Sequence, residues 1–287
     1  MGDRLEPHFA DVQAHYDLSD EFFALFLDPS RTYSCAYFER DDMTLQQAQL
    51  AKIDLALGKL DLRPGMTLLD IGCGWGATLK RAVEKYDVNV VGLTLSRNQA
   101  AHVQKLFDRM DSPRARKVLL AGWEEFHEPV DRIVSIGAFE HFGHDRYDAF
   151  FETAHDALPV DGVMLLHTIT GLTGKQMVER GMPLSFELAR FLKFIITEIF
   201  PGGRLPSIEM VEDRSWHAGL TLTRRQSLQP HYAKTLDRWA TALEANRDKA
   251  IEIQSEEVYD RYMKYLTGCA NGFRIGYIDV NQFTLAR

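Results

Sequence analysis

Cysteine is scarce: Cys35, Cys73 and Cys269 are the only three in 287 residues, far apart, odd in number and never spaced as a CxxC pair. Neither a disulfide framework nor a zinc site is expected, so no metal is assigned, and a reducing, cytoplasmic setting fits. Long hydrophobic runs are missing too. The most apolar segment, "FELARFLKFIITEIF", is interrupted by Glu187, Arg190, Lys193 and Glu198, which leaves nothing to expect across a membrane. The opening "MGDRLEPHFADVQAHYD" is charged and carries no apolar stretch of the kind a secretion signal needs. Positive charge is in deficit, with 33 Lys and Arg against 41 Asp and Glu and a net charge of -8. The footprint of a phosphate-backbone binder is absent, and nucleic acid is not an expected partner. Repeats, low-complexity tracts and Ser/Pro linkers are lacking, so residues 1–287 are read as one domain with elaborations.

What is present changes periodicity along the chain. Residues 1–64 read as helical: "DLSDEFFALFLD" begins with a cap, and Leu45, Ala48, Ala51/Lys52 and Leu55 keep helical spacing. From 65 to 168, short apolar runs alternate with amphipathic stretches: "TLLDI", a helix to Tyr86, "NVVGL", a helix opening at Ser96, "KVLLA", "RIVSI", a helix from Tyr147 to Leu158, then "GVMLLHT". Buried parallel strands separated by crossover helices read this way, which makes the class α/β. Residues 169–206 break the alternation for longer than an ordinary connection and read as an inserted cap or lid. Residues 207–287 resume it with a helix and strand in "IEMVEDRSWHAGLTLTRRQSL", a helical pair from Tyr232 to Leu266, and "GYIDVNQFTL" as an edge strand.

The loop Gly72-Cys73-Gly74-Trp75-Gly76 follows the first strand, where glycines admit a ligand close to the backbone and the next helix offers unpaired N–H groups. A dinucleotide fingerprint would need G-x-G-x-x-G and an acid about 20 residues on. Here the third glycine comes one residue early and "VGLTLS" holds no acid, which weakens that reading. Glycines that only tighten a turn are the other alternative. The run Asp70-x-Gly72-x-Gly74-x-Gly76 resembles the first motif of class I S-adenosylmethionine-dependent methyltransferases.

The flanks sharpen the resemblance. "VQAHYDLSDEFFALFLD", "TYSCAYFERDDMTLQQAQLAKIDLALGKL", "LLDIGCGWG", "VVGLTLSRNQ", "VDRIVSIGAFEHFG", "FPGGRLPS", "QSLQPHYAKTLDRW" and "YMKYLTGCA" together resemble the mycolic acid cyclopropane synthases, over nearly the whole chain and in order. The resemblance implies a Rossmann-like, mostly parallel seven-stranded sheet flanked by helices, with N-terminal helices and a lipid-facing helical lid. It implies a donor pocket made by Tyr33 and Ser34, by Leu68, Leu69, Asp70, Ile71, Gly72, Cys73, Gly74, Trp75 and Gly76, by Thr94, Leu95, Ser96, Arg97, Asn98 and Gln99, and by Trp123 and Glu124. Gln99 can bond a ribose hydroxyl where the usual acid is missing, and Trp123 offers a flat face to adenine. Ser96 also sits where a helix N-cap belongs.

The implied reaction adds the sulfonium methyl to a cis double bond of a very long acyl chain borne on an acyl carrier protein, then closes a cyclopropane ring by proton loss. Such a site must exclude water, offer aromatic faces or negative charge to a carbocation, and hold a base near the departing proton. Phe139, Phe142, Phe191, Phe194, Phe200, Tyr33 and Tyr232 are the aromatic candidates. The resemblance implies bicarbonate as the base, held by Glu140, His167, Tyr232 and backbone groups near Cys35 and Ile136. Cys269 is a candidate nucleophile that this mechanism does not need. His141 and His144 read as exposed polar residues. Relatives that add water instead of closing the ring resemble "IEA" where this chain has Ile136-Gly137-Ala138, so cyclopropanation is expected, with hydroxylation as the alternative. A lipid-binding protein without catalysis on the same fold is the second alternative. Arg190, Lys193 and Arg204 are candidates for docking an acidic carrier.

Overall fold

The computed structural model describes residues 5–7, 19–182 and 185–287, so the "VQAHY" part of the expected N-terminal helical text lies outside the described residues. Among the described residues seven strands form one sheet: β1 (Thr67–Ile71), β2 (Asn89–Thr94), β3 (Arg116–Leu120), β4 (Arg132–Ile136), β5 (Val163–Gly171), β6 (Thr221–Ser227) and β7 (Ile278–Ala286). Their order is β3-β2-β1-β4-β5-β7-β6. The first five run parallel, and β7 is antiparallel to both β5 and β6. Chain direction through the sheet reverses between β1 and β4, and in an open parallel sheet that switch point is where strand ends part to admit a ligand.

Alternation along the strands assigns each face. On β1, Leu68 packs with Ile53 and Leu57 of α2 (Leu45–Leu57), with Leu79 and Val83 of α3 (Ala77–Tyr86), and with Val103 and Phe107 of α4 (Arg97–Asp108). Its neighbour Leu69 points the other way, into the layer with Phe150 and Phe151 of α5 (Tyr147–Ala157). Asp70 therefore shares a face with Leu68 and lies toward α2. Two ends of these helices are fixed by side chains: Thr44 and Gln47 form a capping box at α2, and Ser96 accepts from the Gln99 N–H at α4. Each such cap contributes on the order of 1 kcal/mol.

The inserted segment holds α6 (Gly174–Glu179) and α7 (Phe186–Phe194), which continues into a widened turn at Ile195–Ile199. Ser19 caps the short α1 (Asp20–Phe23), whose Phe22 packs edge-on to Tyr262 at 5.0 Å. Beyond the insertion come α8 (Ile208–His217), α9 (Gln229–Ala245), α10 (Arg247–Ile253) and α11 (Glu256–Ile275).

Three expectations need correction. The closing strand is not at the edge: β7 lies between β5 and β6, with Val280 through Thr284 buried, and β6 with exposed Arg224 and Arg225 is the edge. The expected helical pair is three helices, because the chain leaves helical geometry at Asn246 and is re-capped at Ser255. The strand read as ending at Thr168 continues to Gly171, so His167 sits inside β5 rather than at its end.

Candidate active site

At the C-terminal ends of β1, β2 and β4 lies a cavity of about 140 Å³. The glycine loop makes room for it. Gly72 has φ +82°, and a Cβ there would stand 2.5 Å from the Cβ of Ala138, so only glycine lets the ends of β1 and β4 approach this closely. Tyr33, Ser34, Asp70, Ile71, Gly72, Cys73, Gly74, Trp75, Thr94, Leu95, Gln99, Trp123, Glu124 and Ile136 all line this cavity. Leu68 and Leu69 instead pack into the two hydrophobic layers, and Gly76 forms the N-cap of α3 against Val103. Arg97 and Asn98 are exposed on the first turn of α4, and Ser96 serves as its cap.

The cavity's polar groups are set by protein contacts. The Thr94 hydroxyl donates to Gln99 Oε1 at 2.7 Å and accepts from the Ser96 N–H at 3.1 Å, which fixes the amide of Gln99. Trp123 is buried, edge-on to Phe150 and tilted against Phe142, with its Nε1 lacking a protein partner. Glu124 is clamped by Arg146 at 2.9 Å. Sequence reasoning missed Lys52, which lines the cavity, is 1% exposed and donates from Nζ to Ser34 Oγ at 2.8 Å. Burial pulls its ammonium down to about 8, against the opposing pull of Cys35, Asp28 and Asp70. Burial likewise pushes the Asp70 carboxyl up to about 7, with Lys52 opposing. A lysine on the apolar stripe of α2 was the available signal.

A second cavity of about 720 Å³ lies under the insertion. Leu188, Phe191, Ile195, Ile196 and Phe200 form its roof, and Leu236, Phe273 and Ile278 are among the apolar residues of its walls. It meets the first cavity at Tyr33, Ser34, Gly137 and His141, which line both. Cys35, Glu140, His167, Tyr232 and Cys269 line the second cavity.

Glu140 is carried on a short 3-10 turn after β4 and is buried. Its Oε1 accepts from the Ile169 N–H at 2.6 Å, while its buried Oε2 has no protein partner. Burial pushes this carboxyl above the usual range, with the Ile169 N–H opposing. His167 is 1% exposed, and its buried Nε2 likewise has no protein partner. Burial, aided by the charges of Lys52 and Lys59, holds its imidazole well below the ordinary value and keeps it neutral. The Tyr232 hydroxyl is pushed well up by burial. Cys35 is fully buried, with its Sγ against the Ala36 carbonyl at 3.1 Å, and burial pushes the Cys269 thiol up to about 12.

Other expectations fail on position. Phe139 does not face a cavity: it is fully buried and stacks on Tyr147 at 3.9 Å. Phe194 is buried in the layer of α9 and α11 with the Lys264 ammonium over its ring, whereas Phe142 lines the first cavity. His141 and His144 are not plain exposed residues. His141 lines both cavities with its imidazole pulled down to about 4 by burial, and His144 Nε2 lies 3.1 Å from the Leu205 carbonyl. Arg190 and Lys193 on α7 are exposed, and Arg204 is exposed too while also lining the larger cavity. Among the described residues no group of three or more His, Cys, Asp or Glu could hold a metal ion, and no helix is long and apolar enough to cross a membrane.

The sheet order, the glycine loop at its switch point and the cavity above it define a class I methyltransferase fold. Coclaurine N-methyltransferase bound to N-methylheliamine and SAH shares that fold at 21% identity, with a TM-score of 0.80 over 100% of this chain and 84% of that one. The family described as mycolic acid cyclopropane synthetase matches residues 3–283. Cyclopropane mycolic acid synthase MmaA2 of Mycobacterium tuberculosis is 75% identical over 287 residues, the whole of both chains. Cyclopropane mycolic acid synthase 1 of the same organism is 76% identical over 284 residues, 99% of each. The crystal structure of mycolic acid cyclopropane synthase CmaA1 complexed with SAH and CTAB superposes with a TM-score of 0.97 at 75% identity, over 99% of this chain and 100% of that one. The chain belongs to the mycolic acid cyclopropane synthetase family.

Proposed function

We propose that this protein transfers the methyl group of S-adenosylmethionine to a cis double bond of a very long, meromycolic-type acyl chain and closes a cyclopropane ring, in mycolic acid biosynthesis. The observation that carries the reading is the meeting of two unlike cavities at Tyr33, Ser34, Gly137 and His141. The smaller and more polar one, at the glycine loop, suits a small charged donor. The larger, apolar one suits an alkyl chain, and their junction is where a sulfonium methyl and an alkene would meet. The names of the family's relatives supply the direction of the chemistry.

In this reading the alkene's π electrons take the methyl, and the resulting carbocation loses a proton from that methyl as the ring closes. The chain's own residues do three things. Phe200 and Tyr265, edge-on at 5.4 Å, wall the cavity with aromatic surface that excludes water and tolerates positive charge. Glu140 and His167 each present a buried polar atom without a protein partner. A neutral imidazole and a carboxyl with a raised proton affinity fit an oxyanion that both accepts and shares a proton, which is what bicarbonate would require of them. Bound there, bicarbonate would supply the base. Delivery of the chain on an acyl carrier protein completes the proposal.

Mass analysis of a cis-unsaturated acyl-carrier substrate after incubation with methyl-labelled S-adenosylmethionine tests it. Gain of a methylene with loss of the alkene is the expected result. Gain of the elements of methanol would replace ring closure by water capture, and absence of label would return the lipid-binding alternative.

A further inference from the structure

The register of the sheet sets His167 of β5 directly opposite Gln282 of β7, and Gln282 opposite Gln226 of β6. Directly opposed residues project to the same face, so the three form a polar row leading from the sheet edge to the larger cavity. Lys59, which follows α2, closes the row from outside. Its Nζ lies 2.7 Å from Gln226 Oε1 and 2.5 Å from Gln282 Oε1, and Gln282 Nε2 lies 3.2 Å from His167 Nδ1.

Burial pulls the Lys59 ammonium down to about 8, and in the charged form that prevails at neutral pH these contacts permit one consistent proton assignment. An ammonium can only donate, so Gln282 must turn its Oε1 toward Lys59 and therefore its NH₂ toward His167. An amide NH₂ can only donate in turn, so Nδ1 of His167 must be the acceptor. In a neutral imidazole the proton then resides on Nε2, the buried atom for which the protein provides no partner. We propose that Gln282, locked in orientation by Lys59, is a positioning residue that fixes His167 as the Nε2–H tautomer and so aims a hydrogen-bond donor into the reaction cavity. Gln282 has this as its use: an apolar residue at 282 would leave the imidazole free to place its proton on either nitrogen, and only one choice offers a donor to an oxyanion. The proposal rests on the reading of His167 as a group that touches the reacting centre, but the tautomer itself is observable without turnover.

The test is a two-bond ¹H–¹⁵N correlation spectrum of the full-length protein labelled at histidine, with the His167 signals assigned by their loss in His167→Gln. The wild type is expected to show a protonated Nε2 and an unprotonated, hydrogen-bonded Nδ1. In Gln282→Glu the carboxylate would accept from Nδ1, which moves the proton there or creates an imidazolium, and ring closure is expected to fall by about 10- to 100-fold, the range seen when a histidine loses its orienting partner. Lys59→Met, at a half-buried position, frees the amide to turn over and should give a mixture of tautomers with an intermediate loss. A wild-type spectrum with the proton on Nδ1, or an unchanged tautomer in Gln282→Glu and Lys59→Met alike, would overturn the proposal. The expected spectra together with a wild type that forms no cyclopropane would uphold the tautomer assignment and overturn the proposed function instead.

Discussion

Lys52 donates to Ser34 across the wall of the smaller cavity, and the same buried ammonium opposes the rise of the Asp70 carboxyl. Removing it with Lys52→Met leaves Asp70 buried without that opposition, so its carboxyl holds a proton to higher pH. If Asp70 pairs with the ammonium of the donor's amino-acid end, that charge-assisted contact weakens at neutral pH, an effect of about 2 kcal/mol, or roughly 30-fold in affinity. The sign fixes the pH course. Because Asp70 ionises as pH rises, the variant's affinity should recover toward alkaline pH. Calorimetric titration with S-adenosylhomocysteine at neutral and alkaline pH reads both effects, and an affinity equal to wild type would remove Lys52 from donor binding.

Glu140→Gln keeps the shape of the side chain and an oxygen to accept from the Ile169 N–H. It replaces the unpartnered Oε2 by an amide that neither gives up nor takes a proton in the working range. Donor binding is expected to stay within about twofold, and ring closure to fall by 10²- to 10⁴-fold, the usual contribution of a positioned proton-transfer group. Product analysis set beside donor affinity separates the two. Full ring closure in the variant would show that ionisation of Glu140 is not needed.

The sequence exposed the parallel half of the sheet and the glycine loop because their signals are local: apolar runs buried on both faces, glycines where a backbone must turn. The antiparallel half was misplaced for a physical reason. The polar residues Asp279, Asn281, Gln282 and Thr284 suit the expected edge strand, yet inside the sheet two of them find partners on β5: Asn281 bonds Thr170 and Gln282 meets His167. Lys52 was hidden in the same way, as a lysine at a helical core position whose partner Ser34 lies on a loop well before it in the chain. Phe139 shows the converse. Its motif placed it beside the site, but the 3-10 turn points Glu140 to the cavity and Phe139 into the packing against Tyr147. Periodicity reports which residues are buried, and only the assembled sheet decides what they meet.

Cys269 lines the larger cavity, but burial pushes its thiol up to about 12. At neutral pH only about one thiol in 10⁵ would be ionised, too few to act as a nucleophile. Cys269→Ala should therefore keep ring closure within about threefold, and the enzyme should resist inactivation by thiol-alkylating reagents. Loss of activity in Cys269→Ala beyond tenfold, with donor affinity intact, would return the thiol to the mechanism.

Arg190 and Lys193 form an exposed basic pair on α7 that lines neither cavity, and Arg190 lies 5.0 Å from the strongly exposed Phe186 ring. If an acidic carrier docks there, charge reversal by Arg190→Glu with Lys193→Glu should raise KM for the carrier-linked substrate several-fold. Exposed pairs contribute up to about 1 kcal/mol each and are screened by salt, so the difference from wild type should shrink at high ionic strength. The turnover rate should hold, because neither residue lines the reaction cavity. A KM unchanged at low salt would move the docking surface elsewhere.

Gly137 decides what can stand between the two cavities. It has φ +70°, a conformation that costs other residues about 1 to 2 kcal/mol, while a Cβ there would meet only the Ser34 Cβ at an ordinary 3.6 Å. Gly137→Ala and Gly137→Glu therefore carry the same backbone strain, and each should lower the melting temperature by a few degrees. They differ in what they add. Alanine leaves the junction apolar, so its product should remain the cyclopropane at a reduced rate. Glutamate brings a carboxylate able to hold water beside the carbocation, so part of its product should carry a methyl branch and a hydroxyl. Alanine controls for strain, and the comparison of the two product spectra isolates the carboxylate. If both variants yield only cyclopropane, the absence of a side chain at 137 is not what directs the cation toward ring closure.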